Sequence, residues 1–240
     1  MKKTLFLKQT PSTNELIWTM NRESPLEEGF VVFTDFQTSG KGQSGNTWES
    51  ARGKNLLFSM VLHPVQIPMD KLFLISELVS IAIKRALEVY TSGITIKWPN
   101  DIYRNDQKVA GILIENSLQG NKIKTVVIGI GLNVNQKTFE SDAPNPVSLL
   151  QIIGKSMNRK HLLNSVCRNI MELYEEFDIE RIQTEYSKSL YRKEGFHTFQ
   201  AESKLFRAKI INVHPDGKLE LETEDGERSG YYFKEVQFII

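Results

Sequence analysis

The chain has 240 residues, of which 40% are hydrophobic and 25% charged, a composition typical of a globular protein with one large core and room for a small second one. The formal net charge of +1 gives no general attraction for nucleic acid or for an anionic membrane. No run approaches the about 18 apolar residues of a membrane span, and TLFL near the N-terminus is too short for a secretory signal. Cys167 is the single cysteine, which excludes a disulfide framework and a cysteine metal cluster. We therefore expect a cytoplasmic enzyme or binding protein.

The N-terminal quarter of the chain is predicted to contain a helix among strands. Ser12, followed three residues later by Glu15, is typical of a helix N-terminus, and the helix is expected to continue to about Arg22. The apolar runs before and after this helix have the composition of strands. These strands are expected at 2–8, 30–36 and 55–62.

The next segment is predicted to form a long helix followed by three strands. Apolar residues recur at helical spacing over 69–90, with one broad apolar face. A short strand over 94–97 is expected to end before Pro99. Strands over 109–115 and 124–131, joined by a Gln-Gly-Asn turn, predict a hairpin.

The last hundred residues change in character from helix to strand. A polar loop over 133–146 precedes apolar positions over 160–190 whose spacing predicts one or two helices. After Gly195 the chain contains short alternating runs separated by Pro-Asp-Gly and Asp-Gly turns. This pattern predicts a meander of about five strands, which we expect to form a small C-terminal barrel docked on the larger part.

A glycine-rich loop follows the second predicted strand. Gly40, Gly42 and Gly45 match the spacing GxGxxG, but no helical pattern follows, so a dinucleotide site is not favoured. The lysine and the helix of a P-loop are absent, and so are the valine and the HRD segment of a kinase. The remaining functional interpretation is a flexible loop that presents Lys41 and backbone N–H groups to an anion, with Trp48 stacking on a purine. The alternative is a mobile connection with a tryptophan that fills the core.

A second polar segment lies sixty residues further on. Trp98 and Pro99 end a strand and place Asn100 and Asp101 on a crossing loop, and Lys108 then precedes the apolar run VAGILI. A glycine inside that run suggests that a ligand or another backbone approaches closely. Taken alone, Lys108 is typical of a solvated lysine at the start of a strand.

Five segments occur in a distinctive order and at distinctive spacings within the first 135 residues. They are STN at 12–14, QTSGKG at 37–42, KWPND at 97–101, KVAGILIE at 108–115 and GIGLNVN at 129–135. Together they resemble the biotin protein ligases, and the small C-terminal barrel agrees with the architecture of that family. The resemblance implies an α+β fold: a mixed β-sheet catalytic domain with helices packed on it, of the class II synthetase-like biotin/lipoate ligase type, over 1–192. An SH3-like β-barrel over 193–240 would complete it. Because the chain starts at the strand before Ser12, we expect a monofunctional enzyme without an N-terminal DNA-binding domain.

The resemblance also implies the reaction and its partners. Biotin and ATP, with Mg²⁺ bridging the polyphosphate, would give biotinyl-5′-AMP and pyrophosphate. The biotinyl group would then pass to one lysine of a biotin carboxyl carrier protein or domain of a carboxylase. We expect neither nucleic acid nor a membrane as a partner, no metal ligands from the protein, and a possible homodimer.

The matching positions give roles to particular residues. Lys108 is the candidate for holding the biotin carboxylate and the α-phosphate together, and Asp101 for orienting or deprotonating the incoming lysine amine. The residues implied to bind biotin are Ser12, Thr13, Asn14, Gln37, Gly40, Lys41, Gly42, Gln43, Lys108, Gly111 and Gly129. Those implied to bind ATP are Trp48, Lys97, Asn100 and Asn133.

The glycine loop departs from the family pattern, in which arginines occupy several loop positions. This chain has Lys41, Gln43, Ser44 and Asn46 there. Since Gln43 cannot grip phosphate with two parallel hydrogen bonds as arginine does, weaker retention of the adenylate is expected. Three alternatives stay open: a lipoate-type protein ligase, a degenerate homologue, and a non-catalytic biotin or nucleotide sensor.

Overall fold

The computed structural model describes residues 3–120, 122–140 and 145–240, with the exception of the Ser44 side chain. The strands are β1 Thr4–Leu7, β2 Val31–Thr34, β3 Leu56–Leu62, β4 Ile94–Lys97, β5 Asp101–Arg104, β6 Gln107–Gln119, β7 Lys122–Leu132, β8 His197–Ala201, β9 Lys204–Val213, β10 Leu219–Thr223, β11 Arg228–Tyr231 and β12 Gln237–Phe238. The helices are α1 Thr13–Glu23, α2 Phe73–Glu88, α3 Leu149–Ile153, α4 Arg159–Glu176 and α5 Ile179–Lys188. None of the helices within these ranges is long and apolar enough to cross a membrane.

The first seven strands form one mixed sheet in the order β1-β2-β3-β7-β6-β5-β4, in which β1 and β2 are parallel and the other neighbours antiparallel. Side chains alternate between the two faces along each strand, as the pleat requires. On β3, Phe58 and Met60 face the large core that includes α2 and α4, whereas Val61 packs with Ile17 of α1 on the opposite face. This mixed α+β arrangement agrees with the predicted class, and it leaves Ser59 on the face that carries α1.

Several predicted elements are confirmed, and others differ in extent. Ser12 caps α1 by accepting a hydrogen bond from the Glu15 N–H group. The helix predicted over 69–90 is a short 3₁₀ turn followed by α2, and the pattern over 160–190 forms two helices, α4 and α5. Two elements were not predicted: α3, and β5, which begins at Asp101 and so places this residue on a strand. The predictions for residue 2, Asn121 and 141–144 lie outside the described residues.

The C-terminal part contains the five expected strands, in the order β11-β10-β9-β8-β12. Each of the two outer strands, β11 and β12, pairs with one neighbour. The strand pairings of the described residues therefore form an open sheet, and closure into the predicted SH3-like barrel is not shown.

One buried contact joins this second sheet to the KWPND segment. The indole N–H of Trp98 donates a hydrogen bond of 2.9 Å to the Gly217 carbonyl in the turn between β9 and β10. Gly217 has a φ of +89°, and a Cβ there would lie 2.8 Å from Phe73 Cδ2 of α2. The turn therefore needs glycine both for its backbone conformation and for its close approach to the first part of the molecule.

Candidate active site

A pocket lies on the α1 face of the seven-stranded sheet, where segments distant in sequence come together. The space free of protein atoms measures about 490 Å³, part of it open to solvent. Its walls come from the N-terminus of α1, the glycine loop and strands β5, β6 and β7. The lining residues are Ser12, Thr13, Asn14, Gln37, Lys41, Gly42, Gln43, Trp48, Asn100, Asp101, Lys108, Gly111, Ile112, Leu113, Gly129, Ile130 and Gly131.

The floor of the pocket is strand backbone covered by an indole ring. Gly111 of β6 and Gly131 of β7 face each other in register. A Cβ at Gly111 would lie 2.9 Å from Trp48 Cζ3, and one at Gly131 would overlap the same ring. The Trp48 ring therefore packs directly on the two glycines, and its Nε1 has no hydrogen-bond partner within the described part of the chain.

At one end of the pocket, the side chains of Thr13, Asn14 and Gln37 are polar and uncharged. The Thr13 N–H group donates to Gln37 Oε1 at 2.8 Å, and Thr13 Oγ1 lies 3.0 Å from the same oxygen. Ser59 Oγ, behind the wall, lies 2.6 Å from Thr13 Oγ1 and 2.5 Å from Asn14 Oδ1. The Asn14 amide group donates to Glu115 Oε2 at 2.9 Å. Neutral hydroxyl and amide groups at this end suit a neutral polar ligand group, because their hydrogen bonds select by direction and not by charge.

The other end is charged. Lys108 Nζ lies 2.7 Å from Asp101 Oδ1, and the two side chains are 25% and 16% exposed. The contact is an ion pair without the alignment of a hydrogen bond, since Asp101 Oδ1 has no hydrogen-bond partner among the described residues. Asn100 fixes the adjoining loop, because its side-chain amide donates to the Ile112 carbonyl at 2.6 Å and its backbone carbonyl accepts from the Ile112 N–H. Lys108 Nζ also lies 5.7 Å from the centre of the Trp48 ring, so the cation faces the pocket.

The glycine loop closes the pocket from the side of α1. It folds back on itself through hydrogen bonds from Gly42 N to the Asn46 carbonyl and from Trp48 N to the Gly40 carbonyl. Lys41 Nζ lies 2.5 Å from Glu15 Oε1, and this hydrogen bond raises the pKa of Lys41.

Gln43 lies in the same loop. Its Oε1 is buried without a hydrogen-bond partner in the described residues. The side chain carries no charge, so it offers an anion only the neutral N–H donors of its amide group.

Three predicted site residues do not line the pocket. Gly40 packs against the backbone of Trp48, since a Cβ there would lie 2.7 Å from the Trp48 carbonyl oxygen. Lys97 Nζ lies over the rings of Tyr103 and Phe238, at 5.5 and 4.9 Å from their centres. Burial lowers the pKa of Lys97, an effect that the negative charge of Asp101 opposes. Lys97 therefore faces the junction with the C-terminal sheet.

Asn133 is the third of these residues and is buried behind the strand ends. Its Oδ1 accepts from the Asn55 amide group at 3.4 Å, and its own amide group reaches the Lys108 carbonyl at 3.5 Å. Asn133 is thus placed to hold the backbone at Lys108.

The sequence analysis missed two groups of residues. Ile112, Leu113, Ile130 and Gly131 line the pocket, while Ser59 and Glu115 support it from behind. A signal was available for two of them: Ser59 interrupts the apolar run LLFSMVL, and Gly131 lies two positions after Gly129 on the same face of a strand.

Comparison with known proteins assigns the chain to a family. Residues 6–133 match the model of the Biotin/lipoate A/B protein ligase family. This match covers more than half of the chain, and the chain therefore belongs to that family.

Individual relatives and structures agree with this assignment. The chain is 30% identical to the bifunctional ligase/repressor BirA of Bacillus spizizenii, over 88% of this chain and 66% of that protein. It is 28% identical to the biotin–[acetyl-CoA-carboxylase] ligase of Mycobacterium tuberculosis, over 68% of this chain and 60% of that one. The chain thus spans about two thirds of the length of such relatives.

A solved structure is similar along the whole chain. The biotin protein ligase of Aquifex aeolicus in complex with biotin and ATP is 25% identical, covers 100% of both chains and superposes with a TM-score of 0.81. The resemblance to biotin protein ligases that the five segments predict is confirmed.

Proposed function

We propose that this chain is an ATP-dependent biotin–[acetyl-CoA-carboxylase] ligase. It activates biotin as biotinyl-5′-AMP, releases pyrophosphate, and transfers the biotinyl group to a lysine of a biotin carboxyl carrier protein, with formation of a C–N bond. The observation that supports this proposal best is one pocket with a neutral hydrogen-bonding end and an ion pair, Lys108 and Asp101, at the other. A ligand with a cyclic urea at one end and a carboxylate at the other matches this arrangement.

Biotin binds with its ureido ring at the polar end. Thr13 and Gln37 supply hydroxyl and amide partners, which a neutral bicyclic urea requires, and Ser12 lies beside them. The apolar side chain of biotin follows the pocket wall past Ile112, Gly129 and Trp48. Its carboxylate then reaches Lys108.

The first half-reaction brings two anions together at Lys108. An oxygen of the biotin carboxylate attacks the α-phosphorus of ATP, a new P–O bond forms, and the P–O bond to pyrophosphate breaks. The Lys108 ammonium lies between the carboxylate and the α-phosphate and lowers their mutual repulsion as negative charge accumulates. Because its present partner is the single carboxylate of Asp101, it can exchange that partner for the substrate without leaving the pocket.

The second half-reaction transfers the biotinyl group to the carrier. The lysine amine of the carrier attacks the acyl carbon, a C–N bond forms, and AMP leaves with the electrons of the C–O bond. This amine is normally protonated at neutral pH, so it must lose a proton to become a nucleophile. Asp101 accepts or directs that proton once Lys108 has engaged the adenylate.

The nucleotide contacts are divided between direct and supporting residues. Trp48 and Asn100 line the pocket and meet the adenylate directly. Asn133 acts through the backbone of Lys108, and Lys97 contributes from the junction with the C-terminal sheet. This division modifies the roles that the family resemblance implies for Lys97 and Asn133.

Mg²⁺ would enter with the nucleotide. The described residues contain no group of three or more His, Cys, Asp or Glu side chains arranged to hold a metal ion. Asp101 is the carboxylate that lines the pocket and would be the protein group nearest to such an ion. The ion would supply charge neutralisation on the phosphates.

The remaining assignments rest on the family. Residues 1–192 form the catalytic domain, and 193–240 form a small barrel-like domain that steadies the KWPND segment through the contact between Trp98 and Gly217. The carrier protein is the macromolecular partner, a homodimer is possible, and the reaction takes place in the cytoplasm.

A transfer assay tests the proposal. The chain is incubated with ATP, Mg²⁺, labelled biotin and a purified biotin carrier domain, and pyrophosphate release and labelling of the carrier lysine are measured. Both should depend on biotin. Labelling with lipoate in place of biotin would support a lipoate-type ligase, whereas biotin binding without pyrophosphate release would support a sensor.

A further inference from the structure

A chain of hydrogen bonds runs from Glu115, outside the pocket, to the wall at its polar end. Asn14 donates to Glu115 Oε2 at 2.9 Å, and Asn14 Oδ1 lies 2.5 Å from Ser59 Oγ. Ser59 Oγ lies 2.6 Å from Thr13 Oγ1, which lies 3.0 Å from Gln37 Oε1. Thr13 and Gln37 line the pocket, whereas Glu115 does not.

The partners at the two ends fix the orientation of both amides. An ionised carboxylate only accepts hydrogen bonds, as does the Leu113 carbonyl, 3.4 Å from the same Asn14 nitrogen. The amide nitrogen of Asn14 must therefore face Glu115, and its oxygen must face Ser59. At the other end, the Thr13 N–H group only donates, so Gln37 must turn its oxygen toward Thr13.

Between these ends there are fewer protons than contacts. Three oxygen–oxygen contacts link Asn14, Ser59, Thr13 and Gln37, but only the two hydroxyl groups carry protons. Asn14 Oδ1 is an acceptor in a buried position, so Ser59 must donate its proton there. The 2.6 Å contact between the hydroxyls then requires the proton of Thr13.

The contact left without a proton is the one on the pocket wall. Thr13 Oγ1 and Gln37 Oε1 face each other as two acceptors at 3.0 Å. Gln37 Oε1 still receives the Thr13 N–H, but the hydroxyl oxygen has a free lone pair toward the ligand. This lone pair is complementary to an N–H donor, and a cyclic urea carries two N–H groups.

We propose that Glu115 is a positioning residue for recognition of the cyclic urea, because it sets the direction of this hydrogen-bond chain. The proposal rests on the proposed function and concerns the specificity of the same pocket. Glu115 acts through Asn14 and Ser59, and it makes the Thr13 hydroxyl an acceptor where it would otherwise rotate freely between donor and acceptor.

Two substitutions separate the acceptor from the charge. In Glu115→Met the side chain keeps its length and loses the acceptor. Asn14 then retains only the longer 3.4 Å contact with the Leu113 carbonyl, which holds the direction of the chain more weakly. We expect the KM for biotin to rise about tenfold, the effect of one hydrogen bond, with kcat and the KM for ATP within about twofold of wild type. Glu115→Gln can place an amide oxygen at the same position, and it should retain the biotin KM within about twofold.

Trp18→Phe is the matched control. The Trp18 indole also donates to Glu115 Oε2, at 3.1 Å, so this variant removes a neighbouring hydrogen bond and leaves the one to Asn14. Its biotin KM should be unchanged. In a Ser59→Ala background, where the chain is already broken, Glu115→Met should add less than about twofold.

The outcomes that overturn the proposal are distinct from failure of the proposed function. A biotin KM of Glu115→Met within twofold of wild type overturns it, and so does an equal rise in the KM for ATP. A rise in the KM for biotin in Glu115→Gln or in Trp18→Phe that equals the rise in Glu115→Met also overturns it. If Glu115→Met does not fold, Ser59→Ala alone must raise the KM for biotin. An unchanged KM for biotin in Ser59→Ala then overturns the proposal. A wild-type chain that transfers no biotin contradicts the proposed function itself.

Discussion

At one end of the pocket, Thr13 and Asn14 are 3% exposed and joined through Ser59 by short hydrogen bonds. At the other end, Lys108 and Asp101 are partly exposed and joined by a single ion pair. At the first end, Thr13, Asn14 and Gln37 have partners within the protein that limit their direction. At the second end, each charged group can exchange its partner for a substrate.

This difference separates recognition from chemistry. Buried neutral groups with fixed hydrogen bonds discriminate strongly between ligands, because a wrong ligand leaves them unsatisfied. Partly exposed ion pairs contribute little to stability, so their rearrangement costs little when charge develops in the reaction. Substitutions at the neutral end should therefore change KM for biotin, and those at the charged end should change kcat.

The largest effect is expected for Lys108→Ala. Without the ammonium, the biotin carboxylate and the α-phosphate repel each other, and we expect the rate of adenylate formation to fall by about a hundredfold or more. Single-turnover release of pyrophosphate measures this rate. Lys108→Arg, which keeps the charge with a different geometry, should recover part of it. A kcat of Lys108→Ala within about threefold of wild type would contradict the role of Lys108.

A smaller effect, confined to the second half-reaction, is expected for Asp101→Asn. The amide keeps the shape but is a poor proton acceptor, so transfer from preformed biotinyl-5′-AMP to the carrier should slow by about tenfold or more. Transfer is measured with the purified adenylate, which bypasses the first half-reaction. Unchanged transfer would show that Asp101 does not handle the amine proton.

Release of the adenylate from the charged end of the pocket should become slower in Gln43→Arg. The guanidinium can bind the phosphate with two parallel hydrogen bonds where Gln43 presents an unpartnered acceptor. We expect release of biotinyl-5′-AMP into solution to be about tenfold slower in the variant. A quench assay that separates free from bound adenylate measures it. Negligible release from wild type would show that Gln43 does not weaken retention.

Glu77 lies outside the pocket, and Glu77→Gln should change the stability of the protein without changing the chemistry at either end of the pocket. Glu77 is 1% exposed on α2, and burial raises the pKa of its carboxyl to about 8. Between its ordinary pKa near 4.5 and about 8, the unfolded chain loses this proton while the folded chain keeps it. Stability should therefore fall as pH rises through this window, by a few kcal/mol, about 1.4 for each pKa unit.

The glutamine variant lacks this dependence. Relative to wild type, it should be similar in stability at pH 4.5 and more stable at pH 8, with kcat and both KM values unchanged at pH 7. Urea denaturation at the two pH values measures the difference. Parallel stability curves for the two proteins would refute the assignment of the dependence to Glu77.

The sequence predicted much of the site because its key residues sit at the ends of recognisable elements. Ser12 is visible as a helix cap, and the glycine loop is visible as a break between two strands. Asp101 and Lys108 were visible as polar residues beside an apolar run. Their ion pair was not, because it depends on the antiparallel pairing of β5 with β6, and β5 itself was not predicted.

Local sequence therefore indicated most of the elements and the residue types that the chemistry needs, whereas the class of fold followed from the resemblance of five segments to the biotin protein ligases. Tertiary structure decided which of these residues meet: it brought Gly111 opposite Gly131 under Trp48, and it placed Ser59 behind Thr13. It also directed Lys97 toward the C-terminal sheet and Asn133 into the interior. The physical reason is that periodicity fixes the face on which a side chain lies within its own element. The partner across the pocket depends on strand register and on packing between segments far apart in the chain.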